Sequence, residues 1–160
     1  MTEIKIRKMT QRDKPSLMSL LRDTPEFTPA ELIVAEEVID SYLRDTEKSG
    51  YFTIVSVEGK TVNGYLCYGP TPLTEGTWDL YWAAVSRNMR GKGIGKALWE
   101  IGEADIREQG GRLAVIETSS KPNYESTRRF HEARGYRSVG SIADFYAIGD
   151  DKIIYVKRLS

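Results

Sequence analysis

Near its start the chain alternates: Ile4, Ile6 and Lys8 are separated by single residues, the period-two signature of a strand. A helical period follows. Thr10 with Asp13 three residues on reads as a helix start, and Leu17, Leu20 and Leu21 share one face. Thr28-Pro29-Ala30-Glu31 is a stronger start signal: a capping threonine, a proline at the first helical position and a glutamate completing a capping box. Leu32, Ala35, Ile39, Tyr42 and Leu43 recur at helical spacing up to a stop at Gly50. Tyr51 to Glu58 and Thr61 to Gly69 predict an antiparallel hairpin. After the turn-rich stretch from Pro70 to Gly76, Thr77 to Val85 predicts an aromatic, apolar strand. A glycine-rich turn leads into a helix from about Gly93 to Gln109. Arg112 to Thr118 predicts a strand, Tyr124 to Arg134 a helix, and Tyr136 to Leu159 two further strands. The order is β-α-α-β-β-β-α-β-α-β-β. The strands from Thr77 and Arg112 flank a helix and make a parallel βαβ pair, whereas the hairpin is antiparallel. An α/β (α+β) fold satisfies both, with a mixed central sheet of six to seven strands and helices on both faces.

The chain has 160 residues with no repeat, low-complexity tract or linker, so a single domain over residues 1–160 is expected. Lys+Arg and Asp+Glu both number 23, which removes the broad basic field of a non-specific nucleic-acid binder. No apolar run reaches membrane-spanning length, and the first residues lack a signal-peptide core. The one cysteine, Cys67, forms no internal disulfide; a cytoplasmic location is the expectation. One cysteine and one histidine, His131, are too few for a thiolate or imidazole metal cluster.

The most informative segment is Val85-Ser86-Arg87-Asn88-Met89-Arg90-Gly91-Lys92-Gly93-Ile94-Gly95-Lys96-Ala97-Leu98. It runs from strand through glycine turn to helix. Glycines let backbone N–H groups approach an anion, and the helix N-terminus adds a positive dipole end. Arg90, Lys92 and Lys96 add charge, so the segment suits a phosphate or pyrophosphate. A triphosphate loop of the form G-x-x-x-x-G-K-[ST] fails at Arg90 and at Ala97. A dinucleotide fingerprint G-x-G-x-x-G has its third glycine one residue late relative to Gly91-x-Gly93-x-Gly95. Glu117 does stand where a ribose-binding acid belongs, but two helices and a hairpin precede the loop. A helix-starting turn with glycines for packing alone is the plain alternative.

Coenzyme A is the third ligand. Arg90-x-x-Gly93-x-Gly95, five residues past Val85, resembles the Gln/Arg-x-x-Gly-x-Gly/Ala signature of the GNAT superfamily of N-acetyltransferases. The element order is similar to that family's over nearly the whole chain. A second landmark, a helix ending in an apolar residue and Tyr followed by x-x-x-Gly-Phe, is matched by Phe130-His131-Glu132-Ala133-Arg134-Gly135-Tyr136. The resemblance implies acetyl-CoA as co-substrate, bound by Ala84, Val85, Arg90, Gly91, Lys92, Gly93, Ile94, Gly95 and Lys96, with Asn123 and Tyr124. It implies a splay between the strands of Thr77 and Arg112 for the pantetheine arm, and a backbone N–H near Ala83 to Val85 that polarises the thioester. One such donor contributes about 3 kcal/mol. The sequence departs from the family at Arg87 (usually Pro), Tyr124 (usually Asn, with Asn123 adjacent) and His131 (usually Tyr).

The acceptor of such an enzyme is an amine, which attacks only when neutral. With a lysine-like pKa near 10.4, about one in a few thousand is neutral at pH 7, so a base helps. Asp79 stands where the histone-acetyltransferase branch carries its catalytic glutamate, on one strand face with Tyr81 and Ala83. Glu117 is a second candidate base. His131 is the candidate to protonate the departing thiolate, with water as the plain alternative and Tyr124 in reserve if the helix is shifted; through His131, kcat would decline as pH rises through roughly 6.5 to 7.5. Cys67 reads as a small core hydrophobe. Of Trp78, Tyr81 and Trp82, two are expected in the core. Asp144-Phe145-Tyr146 with Asp150-Asp151 reads either as acids facing a cationic acceptor or as a polar hairpin turn. The expected function is N-acetylation of a primary amine of a small molecule or peptide, without metal, nucleic acid or membrane, by a monomer or homodimer. The rival functions are a non-catalytic acyl-CoA sensor on the same fold and a nucleotide-binding module.

Overall fold

The structure, a computed structural model, describes residues 3–160. The strands are β1 (Ile4–Lys8), β2 (Phe52–Glu58), β3 (Thr61–Pro70), β4 (Thr77–Val85), β5 (Leu113–Ser119), β6 (Arg137–Ala147) and β7 (Asp150–Arg158). The helices are α1 (Lys14–Arg22), α2 (Pro29–Arg44), α3 (Ile94–Glu108) and α4 (Glu125–Ala133), with short 3-10 turns at Gln11–Asp13, Arg87–Met89 and Pro122–Tyr124. This is the predicted element order. The seven strands hydrogen-bond in the order β1-β2-β3-β4-β5-β7-β6. β4 and β5 are parallel, and β1-β2, β2-β3, β5-β7 and β7-β6 are antiparallel. Among the described residues no helix is long and apolar enough to cross a membrane.

The chain divides into two compact units, one through Gly69 plus Trp82–Ala104, the other Pro70–Tyr81 plus Asp105–Ser160. In the first, both faces of the β2-β3 hairpin are covered, so its strands read as continuous buried runs. Val55 and Tyr65 face each other across the ladder and join Leu17, Leu21, Ala35 and Ile39 of α1 and α2 in one core. The opposite face receives α3. A Cβ at Gly64 would lie 2.8 Å from Ile94, and one at Gly102 2.8 Å from Leu66, so small residues set how closely helix and hairpin approach. In the second unit, Ala114, Ile116, Tyr136 and Tyr155 are buried.

Helix starts follow their sequence signals. The Thr28 hydroxyl accepts the Glu31 N–H at 3.2 Å, with Pro29 opening α2. Asp13 caps the Thr10 N–H at 2.7 Å and is also gripped by the Arg7 guanidinium at 2.7 and 2.9 Å. One boundary differs from expectation: α2 ends at Arg44, not near Gly50. Asp45 leaves helical geometry (φ −153°), and its carboxylate accepts the Lys48 N–H at 3.1 Å. A short polar side chain that hydrogen-bonds backbone locally competes with helix continuation.

Candidate active site

In the first unit, β4 ends at Val85, and a 3-10 turn carries the chain into the glycine loop. Gly91 and Gly93 adopt φ of 78° and 85°, left-handed values that glycine takes without a Cβ clash. A Cβ on either would meet nothing within 4 Å. Packing therefore does not explain these two glycines; the loop holds an open backbone cradle. Directly beyond it α3 begins, with the Ala97 N–H donating to the Gly93 carbonyl at 3.0 Å. The N–H groups of the preceding residues have no acceptor further back in the helix, an arrangement that suits an anion. Ile94 is buried and anchors the turn, while Lys92 and Lys96 are exposed. Arg90 is held above the loop, its Nε donating to the Val85 carbonyl at 3.3 Å and its Nη2 3.8 Å from Glu26. Ala84 is buried in the core under α1 and α2.

In the second unit the β4-β5 ladder covers Thr77↔Leu113 to Asp79↔Val115, whereas β5 continues against β7 to Ser119↔Lys152. The Asp79 carboxylate accepts the Thr71 hydroxyl at 2.6 Å and the Tyr81 hydroxyl at 3.4 Å, which places Asp79 and Tyr81 on one face. The Thr71 N–H donates to the Thr77 carbonyl at 2.8 Å, so Asp79 also closes the loop before β4. Glu117 forms an ion pair with Lys152 at 2.8 Å. Asn123 is exposed, and Tyr124 is half-buried at the junction of a 3-10 turn and α4. Arg128 staples that junction by donating to the Ser119 and Lys121 carbonyls at 2.8 and 2.9 Å.

His131 is only 5% exposed, with the rings of Phe130, Tyr136 and Tyr155 about it at centroid distances of 5.7, 6.2 and 6.1 Å. Burial lowers its pKa from 6.5 to about 4. The expected decline of kcat between pH 6.5 and 7.5 assumed an ordinary imidazole, and burial removes that basis. Burial likewise pushes the Cys67 thiol up to about 12, as suits a core residue. Trp78 is buried, Trp82 is half-buried and stacks on Phe27 at 5.6 Å, and Tyr81 is 40% exposed. The late acids form the polar turn: the Asp144 carboxylate accepts the Gly149 N–H at 2.8 Å, and Asp151 accepts the Asp144 N–H at 2.9 Å. Sequence reasoning missed Glu26 at Arg90, Thr71 at Asp79, Lys152 at Glu117, and Arg128. Each is a polar residue whose partner lies remote in sequence or across a turn, and no periodicity signals such a pairing.

A glycine turn opening into α3, on a mixed sheet that holds the parallel pair β4-β5, defines an α/β fold whose α3 N-terminus has the local features that suit an anion. Residues 14–136 match the family model described as the acetyltransferase (GNAT) family. The chain belongs to this family of acyltransferases. The structure is similar to a GNAT-family protein from Desulfovibrio desulfuricans, with 39% identity, a TM-score of 0.95, and 99% of this chain covering 100% of that one. It shares its fold with an aminoglycoside 6'-N-acetyltransferase solved with coenzyme A, at 19% identity and a TM-score of 0.77, covering 98% of this chain and 97% of the other. It also shares it with the ribosomal-protein-S18-alanine N-acetyltransferase from Escherichia coli, at 15% identity and a TM-score of 0.77, covering 99% and 95%. Among curated proteins no match to the sequence was found.

Proposed function

We propose that the protein is a cytoplasmic N-acetyltransferase of one catalytic domain that moves an acetyl group from acetyl-CoA to a primary amine by direct attack. The carrying observation is the cradle at Gly91 and Gly93, left-handed and open, ahead of the α3 N-terminus and beside Arg90, Lys92 and Lys96. On this reading the N–H groups of Gly93, Ile94, Gly95 and Lys96 hold the pyrophosphate, with the three basic side chains balancing its charge. Ala84 and Val85 serve the pantetheine arm and Asn123 and Tyr124 its distal part. The thioester supplies an activated acyl group; the amine nitrogen bonds to its carbonyl carbon as the C–S bond breaks.

The amine's proton must leave, and Asp79 is the proposed acceptor. Its two hydroxyl partners keep the carboxylate oriented along the face it shares with Tyr81. Glu117 is held in an ion pair with Lys152 at 2.8 Å and is kept as the second candidate base. The proposed donor to the departing thiolate is Tyr124, since a phenol carries its proton at neutral pH. His131 takes second place: with pKa about 4 its ring is neutral at pH 7 and offers one N–H but no imidazolium. Metal chemistry has no part in this reading.

The acyl-CoA sensor remains a second reading, favoured by the engagement of Asp79 with Thr71 and of Glu117 with Lys152. The deciding assay is thiol release from acetyl-CoA over a panel of polyamines, amino acids and peptide N-termini, run beside thermal melting. Acetyl-CoA at about 100 times its dissociation constant adds roughly 2.7 kcal/mol of stability. Melting shifts with acetyl-CoA but not ATP or NAD, together with amine-dependent release, support the enzyme. Shifts without release on any amine support the sensor, and stabilisation by NAD alone defeats both.

A further inference from the structure

Inside the first unit, between α1 and the turn that follows β4, lies a cavity of about 650 Å³ that acetyl transfer leaves unused. Its size falls within the roughly 300–1,000 Å³ of small-molecule sites. Ser16, Ser19 and Asp23, three and four residues apart, bring one face of α1 and its last turn to it. Ser86, Arg87 and Asn88 supply another part of the wall. Both parts are tied to β3. The Ser16 hydroxyl accepts the Val62 N–H at 2.8 Å, and the Ser86 N–H donates to the Asn63 carbonyl at 2.9 Å. The frame of the cavity is therefore fixed by the fold before any ligand arrives.

The polar groups of the wall divide into two sets. Some are used within the fold: Thr24 donates its hydroxyl to the Leu20 carbonyl at 2.8 Å, and Ser86 donates to the Asn88 carboxamide oxygen, which leaves the Asn88 amide N–H groups as donors. The others are open. Arg22, Arg87 and Asp23 line the cavity, and among the described residues their side chains make neither an ion pair nor a hydrogen bond. They are the charged residues of the wall, and two cations against one acid leave it positive. A guanidinium offers donors alone, in a planar fork that matches phosphate oxygens in pairs, so the ligand must bring anionic acceptors. Two such forks call for more oxygens than one carboxylate has, and a phosphate ester supplies three terminal ones. Asp23 offers acceptors alone, so the same ligand must also bring hydroxyl donors. We propose that this cavity is a second binding site, for a small phosphate ester that carries hydroxyl groups, the sugar-phosphate class. It is separate from the glycine cradle: the turn closed by the Met89 N–H on the Ser86 carbonyl at 2.9 Å stands in the chain between Ser86 and the left-handed Gly91 and Gly93.

The test is calorimetric titration of the full chain with ribose 5-phosphate, inorganic phosphate and ribose, each with and without saturating coenzyme A. Ribose 5-phosphate is expected to bind at one site per chain whether or not coenzyme A is present, inorganic phosphate more weakly, and ribose not measurably. Arg22→Gln and Arg87→Gln are each expected to raise the dissociation constant for ribose 5-phosphate at least about tenfold. Asp23→Ala is expected to weaken ribose 5-phosphate and to leave inorganic phosphate unharmed. All three residues are exposed, so melting without ligand should not change. Gly93→Ala is expected to lose coenzyme A and to keep ribose 5-phosphate. Displacement of ribose 5-phosphate by coenzyme A overturns the proposal, as does its loss in Gly93→Ala with both arginine variants unaffected, since either result puts the anion in the cradle. No binding at about 10 mM, far weaker than the roughly millimolar to micromolar range of metabolite sites, overturns it too. Inorganic phosphate that binds as tightly as ribose 5-phosphate overturns the sugar-phosphate class.

Discussion

Lowering the pH from 7.5 to 4 is expected to destabilise the protein through His131 well before most carboxylates titrate. The folded imidazole has its pKa lowered to about 4 by burial among aromatic rings, against 6.5 in the unfolded chain. Above pH 6.5 both states hold the ring neutral and the residue adds no pH dependence. As pH falls below 6.5 the unfolded chain takes up a proton that the folded state refuses, so stability is lost until the folded pKa is reached. The loss is about 1.4 kcal/mol at pH 5.5, about 2 at pH 5 and about 3 at pH 4. For a chain of this size each kcal/mol moves Tm by about 2–4 °C. With one histidine in the sequence, the signal is separable. The assay is urea unfolding of the parent and of His131→Leu from pH 4 to 8. The difference between the two curves isolates the imidazole, because carboxylates common to both cancel. The parent is expected to lose about 2 kcal/mol more than the variant between pH 7.5 and 5, and NMR of the ring proton to titrate near pH 4. Parallel curves, or a ring midpoint between 6 and 7, would refute the reasoning.

Asp79→Asn is expected to lower kcat about 10²-fold with little change in acetyl-CoA affinity; an unchanged kcat removes Asp79 as base. Gly93→Ala is expected to abolish melting stabilisation by acetyl-CoA, and calorimetry checks this directly, because φ 85° disfavours a Cβ and the methyl group occupies the open cradle. Asp13 is buried, which alone would raise its pKa, but the Arg7 and Thr10 hydrogen bonds leave it below the ordinary carboxylate value. That stabilisation is complete above the unfolded pKa near 3.9 and is lost as pH falls through the lower folded value, so Asp13→Asn is expected to flatten the acid limb of unfolding below pH 4. Thr28→Ala is expected to cost about 1 kcal/mol in urea unfolding through loss of its bond to the Glu31 N–H.

Local features of the sequence determined the element order, the caps at Thr10 and Thr28, and the glycine turn that opens α3, because each depends on residues within one or two turns of one another. The run from Arg90 to Lys96 is legible for the same reason: glycine geometry, helix dipole and charge all act locally. The end of α2 was not: after the last periodic residue, Leu43, the first plain stop signal in the sequence is Gly50, whereas Asp45 ends the helix earlier through a side-chain bond to the Lys48 N–H. Only tertiary structure decided the state of the candidate acid and base groups. His131 is an ordinary imidazole in the sequence and a neutral, desolvated ring in the fold, because Tyr136 and Tyr155 arrive from other elements. Asp79 and Glu117 read alike as strand carboxylates until Thr71 closes on one and Lys152 on the other. The alternation of β6 does not announce that all of its residues are exposed. Exposure and pKa are properties of what other segments bring alongside a residue, and a one-dimensional pattern carries no record of those neighbours.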